Sequence, residues 1–252
     1  MTFASPIILE EPYLQIRRDE GKPNAQYNVA KPDSLVIRVT GMMRRKMYDR
    51  FLDVTRPGPG ETILDVGVTS DRSYASSNYL EAWYPLKNKI TAAGLDDASF
   101  LEDLYPGMRY VSADGLNLPF ANGEFDIVHS SAVIEHVGSR TQQARFIAEL
   151  HRVARRVVCL TTPNRWFPIE VHTSLPLLHW LPAKNYRAML GGTRFRFFAD
   201  EKHLNLLSAN DLRGLCSEVG IRQPMVQGVR LGGWTSNLIL FLSKNDSTLR
   251  PG

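Results

Sequence analysis

A chain of 252 residues suits one α/β domain with an insertion, or at most two small domains. Its 43% hydrophobic and 22% charged residues sit at the globular average and exclude a chain that is disordered throughout. The net charge of +4 is mild, and the basic runs Met42–Lys46 and Arg152–Arg156 are too short for the stripe of a nucleic-acid binder.

Residues 1–32 are rich in proline and charge and read as an N-terminal arm. They hold no basic region followed by an apolar stretch, so no secretory signal is expected. From Asp33 the pattern turns helical: Leu35, Val36, Val39, Met42, Met43, Met47, Tyr48, Phe51 and Leu52 recur at three- and four-residue steps. Asp33 or Ser34 is the predicted cap, and Arg56-Pro57-Gly58-Pro59-Gly60 the stop. Strands are then predicted at 62–66, 89–95, 108–112, 125–129 and 157–161. Helices are predicted at 73–83 and 141–153, with a short turn at 101–104. Residues 163–207 break this rhythm with seven aromatic residues, three of them from Phe195 to Phe198, and read as a cap inserted after the fifth strand. A helix from Ser208 to about Val219 follows. Strands at 221–229 and 235–243, joined by Arg230-Leu231-Gly232-Gly233, read as an antiparallel hairpin. The domain is expected to span 33–245, with a tail at 246–252.

Strands that are apolar throughout and alternate with helices predict a parallel sheet covered on both faces, wound in the doubly wound manner. Cys159 and Cys216 read as small buried hydrophobes in a reducing compartment. No apolar run reaches the ~18–20 residues a membrane-spanning helix needs. A cytoplasmic protein is expected.

Ligands of such sheets bind beyond the carboxyl ends of the strands. Strand one ends at Asp65-Val66-Gly67, strand two at Asp96, strand three at Asp114 and strand four at His129-Ser130-Ser131. Gly67 permits a tight turn close to a ligand. A carboxylate at Asp96 suits a ribose diol. Asp114 suits an exocyclic amine, the amide of Gly115 or Leu116 a ring nitrogen, and Asp65 an ammonium group.

Ile63-Leu64-Asp65-Val66-Gly67, Gly94-Leu95-Asp96, Asp114 to Val128, and Ala132-Val133-Ile134-Glu135-His136-Val137 resemble the successive motifs of class I S-adenosylmethionine-dependent methyltransferases, in particular the type 11-like group acting mostly on small molecules. The resemblance covers residues 61–162. It implies a Rossmann-like, mostly parallel sheet with an antiparallel last strand, and S-adenosylmethionine as cofactor. It places Asp65 and Gly67 at the methionine half, Asp96 at the ribose, Asp114 at adenine, and Ser130 and Ser131 in the loop flanking the methionine half. The sequence departs from the pattern after Gly67: Thr69 and Asp71 stand where further glycines are usual. The expectation is a wider loop whose side chains, Thr69 first, contact the cofactor. The missing triple-glycine fingerprint argues against a nicotinamide enzyme.

Methyl transfer to a hydroxyl or protonated amine needs a base in a water-excluding pocket. His172 is the predicted base and Glu170 its orienting partner, with His136 and Glu135 a second pair. His151, His179 and His203 read as structural. The spacing of these groups matches no zinc signature, so no metal is expected. The expected partner is a small or medium-sized acceptor, methylated on oxygen or nitrogen, and nucleic acid is not expected. Two alternatives are a degenerate cofactor-binding scaffold and a methyltransferase acting on a lipid-linked acceptor at a membrane surface, the latter prompted by the apolar stretch Leu175–Pro182.

Overall fold

The computed structural model describes residues 35–72 and 75–244. The expected arm (1–32), the cap residues Asp33 and Ser34, and the tail (246–252) lie outside the described residues. The first helix, α1 (Leu35–Thr55), buries Met43, Met47, Tyr48, Phe51 and Val54. Three- and four-residue spacing turns these side chains onto one face.

The described residues form a seven-stranded sheet in the order β3-β2-β1-β4-β5-β7-β6. The strands are β1 (Ile63–Val66), β2 (Ile90–Gly94), β3 (Arg109–Ser112), β4 (Phe125–Ser131), β5 (Ala154–Pro163), β6 (Met225–Leu231) and β7 (Trp234–Ser243). β1 to β5 pair in parallel, and β7 runs antiparallel between β5 and β6. This is the expected Rossmann-like sheet with its antiparallel last strand. Because side chains alternate along a strand, Leu238, Leu240 and Leu242 face one layer of core while Ile239 and Phe241 face the other. The first layer is closed by α4 (Arg140–Val153) and α6 (Ala209–Glu218). The second is closed by α1, α2 (Tyr79–Trp83) and α3 (Phe100–Leu104). Both α4 and α6 begin with a capping box, Ser139 with Gln142 and Ser208 with Asp211, which satisfies otherwise orphaned amides.

Three elements differ from the sequence reading by three residues or more. The predicted strand at 221–229 begins only at Met225. Gly220 takes a φ of 73°, and the Ile221 amide donates to the Cys216 carbonyl at 2.9 Å, so Ile221 closes α6 as its apolar cap. A half-buried isoleucine in a cap and one in a strand look alike in sequence. β5 starts three residues early because α4 runs straight into it, the Ala154 amide still bonding to the Leu150 carbonyl. The helix predicted at 73–83 is, where described, a 3-10 turn at Ala75–Asn78 followed by α2.

The segment after β5 carries α5 (Ala183–Gly191) and an apolar cluster of its own: Tyr186, Leu190, Phe195, Phe198 and Leu204. It folds back over the ends of β4 and β5. Asn164 and Leu207 form a bridge, and the Asn205 amide donates to the Glu135 carbonyl at 2.7 Å. From α4, the buried Gln143 donates to the Ile134 and Asn205 carbonyls at 3.1 and 2.8 Å. Cys159 and Cys216 are buried free thiols, and among the described residues no helix is long and apolar enough to cross a membrane.

Glu81 of α2 is completely buried, with no hydrogen-bond partner on either carboxylate oxygen. Burial, followed by the charge of Asp65, pushes its pKa well above the ordinary carboxyl range. The folded chain therefore keeps a proton that the unfolded chain releases, and stability must fall as pH rises above the ordinary carboxyl value. Glu81→Gln keeps the shape and removes the titration. Urea midpoints measured from pH 5 to pH 8 should decline more steeply for the native chain than for this variant; parallel profiles would refute the assignment.

Candidate active site

A cavity of about 580 Å³ opens at the carboxyl ends of β1, β2 and β4, where strand order reverses between β1 and β4. Nine of the predicted site residues line it: Gly67, Thr69, Asp96, Asp114, Gly115, Leu116, Ser131, His136 and His172. Asp65, Ser130 and Glu170 stand behind its wall.

The rim is built by the backbone. After β1 the Gly67 amide donates to the Ala93 carbonyl at 2.7 Å, and Gly67 takes a φ of 97°. A Cβ at this position would overlap the Val133 side chain. The next residues have no glycine, and their path is fixed by Asn78 instead. Its side-chain oxygen accepts from the Thr69 amide at 2.9 Å, and its amide nitrogen donates to the Thr69 carbonyl at 3.0 Å. A buried asparagine thus pairs both backbone polar groups of one residue, as a neighbouring strand would. Asp96 and Asp114 reach the rim with exposed carboxylates. The Leu116 amide donates to Asp114 Oδ1 at 2.9 Å, which shapes the turn after β3. A Cβ on Gly115 would come within 2.5 Å of Phe146 in the cavity wall.

Asp65 faces the other layer of the sheet. Its Oδ1 lies 2.7 Å from Nδ1 of His129 on the adjacent strand, and His129 Nε2 lies 2.9 Å from the Tyr79 hydroxyl. With the carboxylate accepting from Nδ1, the phenol donates to Nε2. All three groups are buried. Ser130 Oγ donates to the Val66 carbonyl at 2.8 Å, tying β4 to β1, while Ser131 reaches the cavity. Sequence reasoning missed Arg44, which α1 carries to the cavity wall, and Asn78. Arg44 belongs to a basic run that reads as a solvated helix face, so its position shows only once α1 is packed on the sheet.

The far end of the cavity holds a histidine pair. His172 Nδ1 is 2.6 Å from Glu170 Oε1, His172 Nε2 is 3.1 Å from His136 Nε2, and His136 Nδ1 is 2.6 Å from the His203 carbonyl. A carbonyl only accepts, so His136 carries its proton on Nδ1 and accepts at Nε2. His172 then donates from Nε2 to His136 and from Nδ1 to Glu170, which makes it the charged ring. Burial opposes that charge, but the Glu170 hydrogen bond and charge outweigh it and the His172 pKa is raised. Glu170 also accepts from the Thr173 amide and hydroxyl, each at 2.7 Å. Burial alone would push Glu170 up, but these bonds and His172 bring it down to about 2. Burial and the His172 charge lower His136 to about 3. Glu135, in the 3-10 turn Ile134–His136 after β4, is fully buried; its Oε2 accepts from Thr162 at 2.9 Å and its Oε1 has no partner. Burial raises it to about 6, partly countered by the His172 charge.

Residues 76–158, from the turn before α2 into β5, match the family model described as a methyltransferase domain. Over that stretch, about a third of its length, the chain is similar to methyltransferase domains. An Encephalitozoon cuniculi protein provisionally assigned as a methyltransferase is 34% identical over 113 residues, 43% of this chain and 47% of its own. The chain thus matches about half the length of that curated relative. Among solved structures, the CurJ carbon methyltransferase superposes with a TM-score of 0.53 at 14% identity, covering 87% of this chain and 57% of that one. The magnesium protoporphyrin IX methyltransferase of Synechocystis PCC 6803, solved with bound SAH, gives 0.54 at 14% identity, covering 88% and 92%. At such identities the likeness is one of fold.

The rim of the cavity makes a direct prediction. Gly67→Ala meets both a left-handed φ, costing about 1–2 kcal/mol for a residue with a Cβ, and the Val133 side chain. Chemical denaturation should show a loss above about 2 kcal/mol, of which Val133→Ala in the same chain restores the steric part only. A Gly67→Ala chain as stable as the parent would mean the turn is not built this way.

Proposed function

We propose that the chain transfers a methyl group from S-adenosylmethionine to an oxygen or nitrogen of a small or medium-sized acceptor. The observation that carries this is the convergence of Gly67, Asp96 and Asp114 on one cavity whose size, about 580 Å³, suits a nucleoside cofactor with room beside it. Asp96 at the end of β2 would accept from the ribose hydroxyls, and Asp114 from the adenine amine. Leu95, 76% exposed at the rim, offers an apolar surface for a flat base. Gly67 lets the methionine half pass close to the backbone. Thr69 borders that half, and the half-buried Arg44 offers its carboxylate a cation. Asp65 and Ser130 then act indirectly, fixing β1 against β4. When bound, S-adenosylmethionine supplies an electrophilic methyl on a sulfonium.

The acceptor enters at the opposite end, under the segment 163–207. There His172, His136 and Glu170 form the proposed catalytic group. Glu170 orients His172, and one proton sits between the Nε2 atoms of the two rings. Release of that proton through the cavity opens an Nε2 to the proton of an acceptor hydroxyl or amine. General base catalysis of this kind contributes about 10²–10⁴-fold.

A second reading keeps the chemistry and changes the acceptor to a lipid-linked one. It is favoured by the exposure of Trp166, Ile169, Val171 and Leu177 on one segment. Co-sedimentation with anionic liposomes would support it, and a chain left wholly in the supernatant would remove it.

Isothermal titration with S-adenosylhomocysteine tests the main reading. The native chain should bind, Asp96→Asn should bind at least about tenfold more weakly through loss of a charge-assisted bond, and His172→Ala should bind within a few-fold of native. With an acceptor in hand, His172→Ala should lower kcat by about 10²-fold or more. A folded native chain that binds neither S-adenosylmethionine nor S-adenosylhomocysteine would refute the proposal.

A further inference from the structure

We propose that Glu135, His136 and His172 form a binding site for a divalent transition-metal ion, Zn²⁺ by its donor set, with a remaining coordination position facing the cavity. One ligand atom from each residue lies within 4.8 Å of the other two. Two imidazoles and a carboxylate are a zinc donor set that leaves a position open. The sequence reading expects no metal here, because the ligands arrive from two separate segments rather than from one short spacing.

Several independent features fit. Each ligand is held from behind. His172 Nδ1 is anchored by Glu170 Oε1 at 2.6 Å, His136 Nδ1 by the His203 carbonyl at 2.6 Å, and Glu135 Oε2 by Thr162 Oγ1 at 2.9 Å. Anchoring through Nδ1 to a carboxylate or carbonyl is how metal-binding histidines are oriented, and it turns both Nε2 atoms inward. Those atoms are 3.1 Å apart. Two nitrogens bound tetrahedrally to one zinc at about 2.0–2.1 Å are separated by about 3.3 Å. With both Nδ1 atoms carrying hydrogen, two facing Nε2 lone pairs need a cation between them, either a proton or a metal.

The carboxylate supplies the deciding observation. Glu135 is 0% exposed, and its Oε1 has no hydrogen-bond partner. A buried carboxylate oxygen left unpaired is costly, and a metal ion is the partner that a neighbouring pair of imidazole nitrogens implies. Charge agrees. Glu135 and Glu170 together bring two negative charges to a buried cluster, and one proton on the histidine pair offsets only one, whereas a dication offsets both. His136 and His172 line the cavity, so the open position suits an oxygen donor, whose bound hydroxyl the ion would acidify in place of the free Nε2 that serves as base in the metal-free chain. Only this last point, that the donor is the acceptor's oxygen, rests on the methyl-transfer reading.

The test uses the full chain, loaded with Zn²⁺ or Co²⁺, dialysed, and measured by elemental mass spectrometry and visible absorption. About one Zn²⁺ per chain is expected, with the intense visible bands of four-coordinate Co²⁺ in the cobalt form. Glu135→Gln and His172→Ala should abolish the bands. Glu170→Gln, a positioning change, should weaken Zn²⁺ affinity by about 10–100-fold while leaving the band shape. Asp96→Asn should lose S-adenosylhomocysteine affinity and keep the metal, and a chain that binds Zn²⁺ but no S-adenosylhomocysteine would uphold the metal site while removing the methyl-transfer reading. Thermal melts establish folding; if His172→Ala does not fold, the near-isosteric Glu135→Gln carries the test. A folded native chain that binds S-adenosylhomocysteine but no Zn²⁺ or Co²⁺ would overturn the proposal, as would bands that survive Glu135→Gln.

Discussion

The reversal of strand order between β1 and β4 is the constraint on which the site depends. β1 leads outward to β2 and β3 on one side, and β4 leads to β5 on the other, so the connections diverge and leave a crevice above the sheet. Nothing has to be hollowed out of a packed core to make room for a ligand. Gly67 keeps the crevice open by turning the chain where a Cβ would strike Val133, and the Asn78 side chain holds the following loop in the place of glycines. Between them, two small polar or side-chain-free positions define the floor on which a cofactor's methionine half is proposed to rest.

Two buried polar centres flank that crevice, and they differ in kind. Behind β1 and β4, Asp65, His129 and Tyr79 form a closed chain in which every ring nitrogen and the phenol are used. Glu81 stands beside it with its proton retained, which avoids a second buried charge. This centre stiffens the strand pair that carries the rim. At the cavity's far end, Glu170, His172, His136 and the His203 carbonyl form another chain, and this one faces open space. It also keeps an unmatched carboxylate oxygen on Glu135. The first centre is closed off from the cavity and reads as structure, whereas one left incomplete beside a cavity reads as a place where something else binds.

The segment after β5 makes that second centre possible. It supplies Glu170, His172 and His203, while the turn after β4 supplies Glu135 and His136. Its own apolar cluster gives it a fixed shape, and the Asn205–Glu135 and Gln143 hydrogen bonds register it against the sheet. Its exposed Trp166 packs edge-on against Trp180, which in turn contacts Trp234 of β7. The cap, the hairpin and the sheet therefore meet along one aromatic seam.

Local physics made much of this legible from the chain alone. Short apolar runs ending in Gly67, Asp96 and Asp114 gave the parallel strands and the residues at their ends, because a buried strand must be apolar and a rim residue must be polar or free of a Cβ. The hairpin and both capping-box helices were equally plain, being set by neighbours within four residues. Other features needed the tertiary structure. In a strand buried on both faces, nothing in the alternation says that Asp65 turns toward His129 rather than the cavity. Arg44 reaches the wall only through the packing of α1, and His172 meets His136 although the two lie 36 positions apart. Sequence fixes what a residue can do within its own turn or strand; which distant groups share a proton, or a metal, is decided by the layers that bring them together.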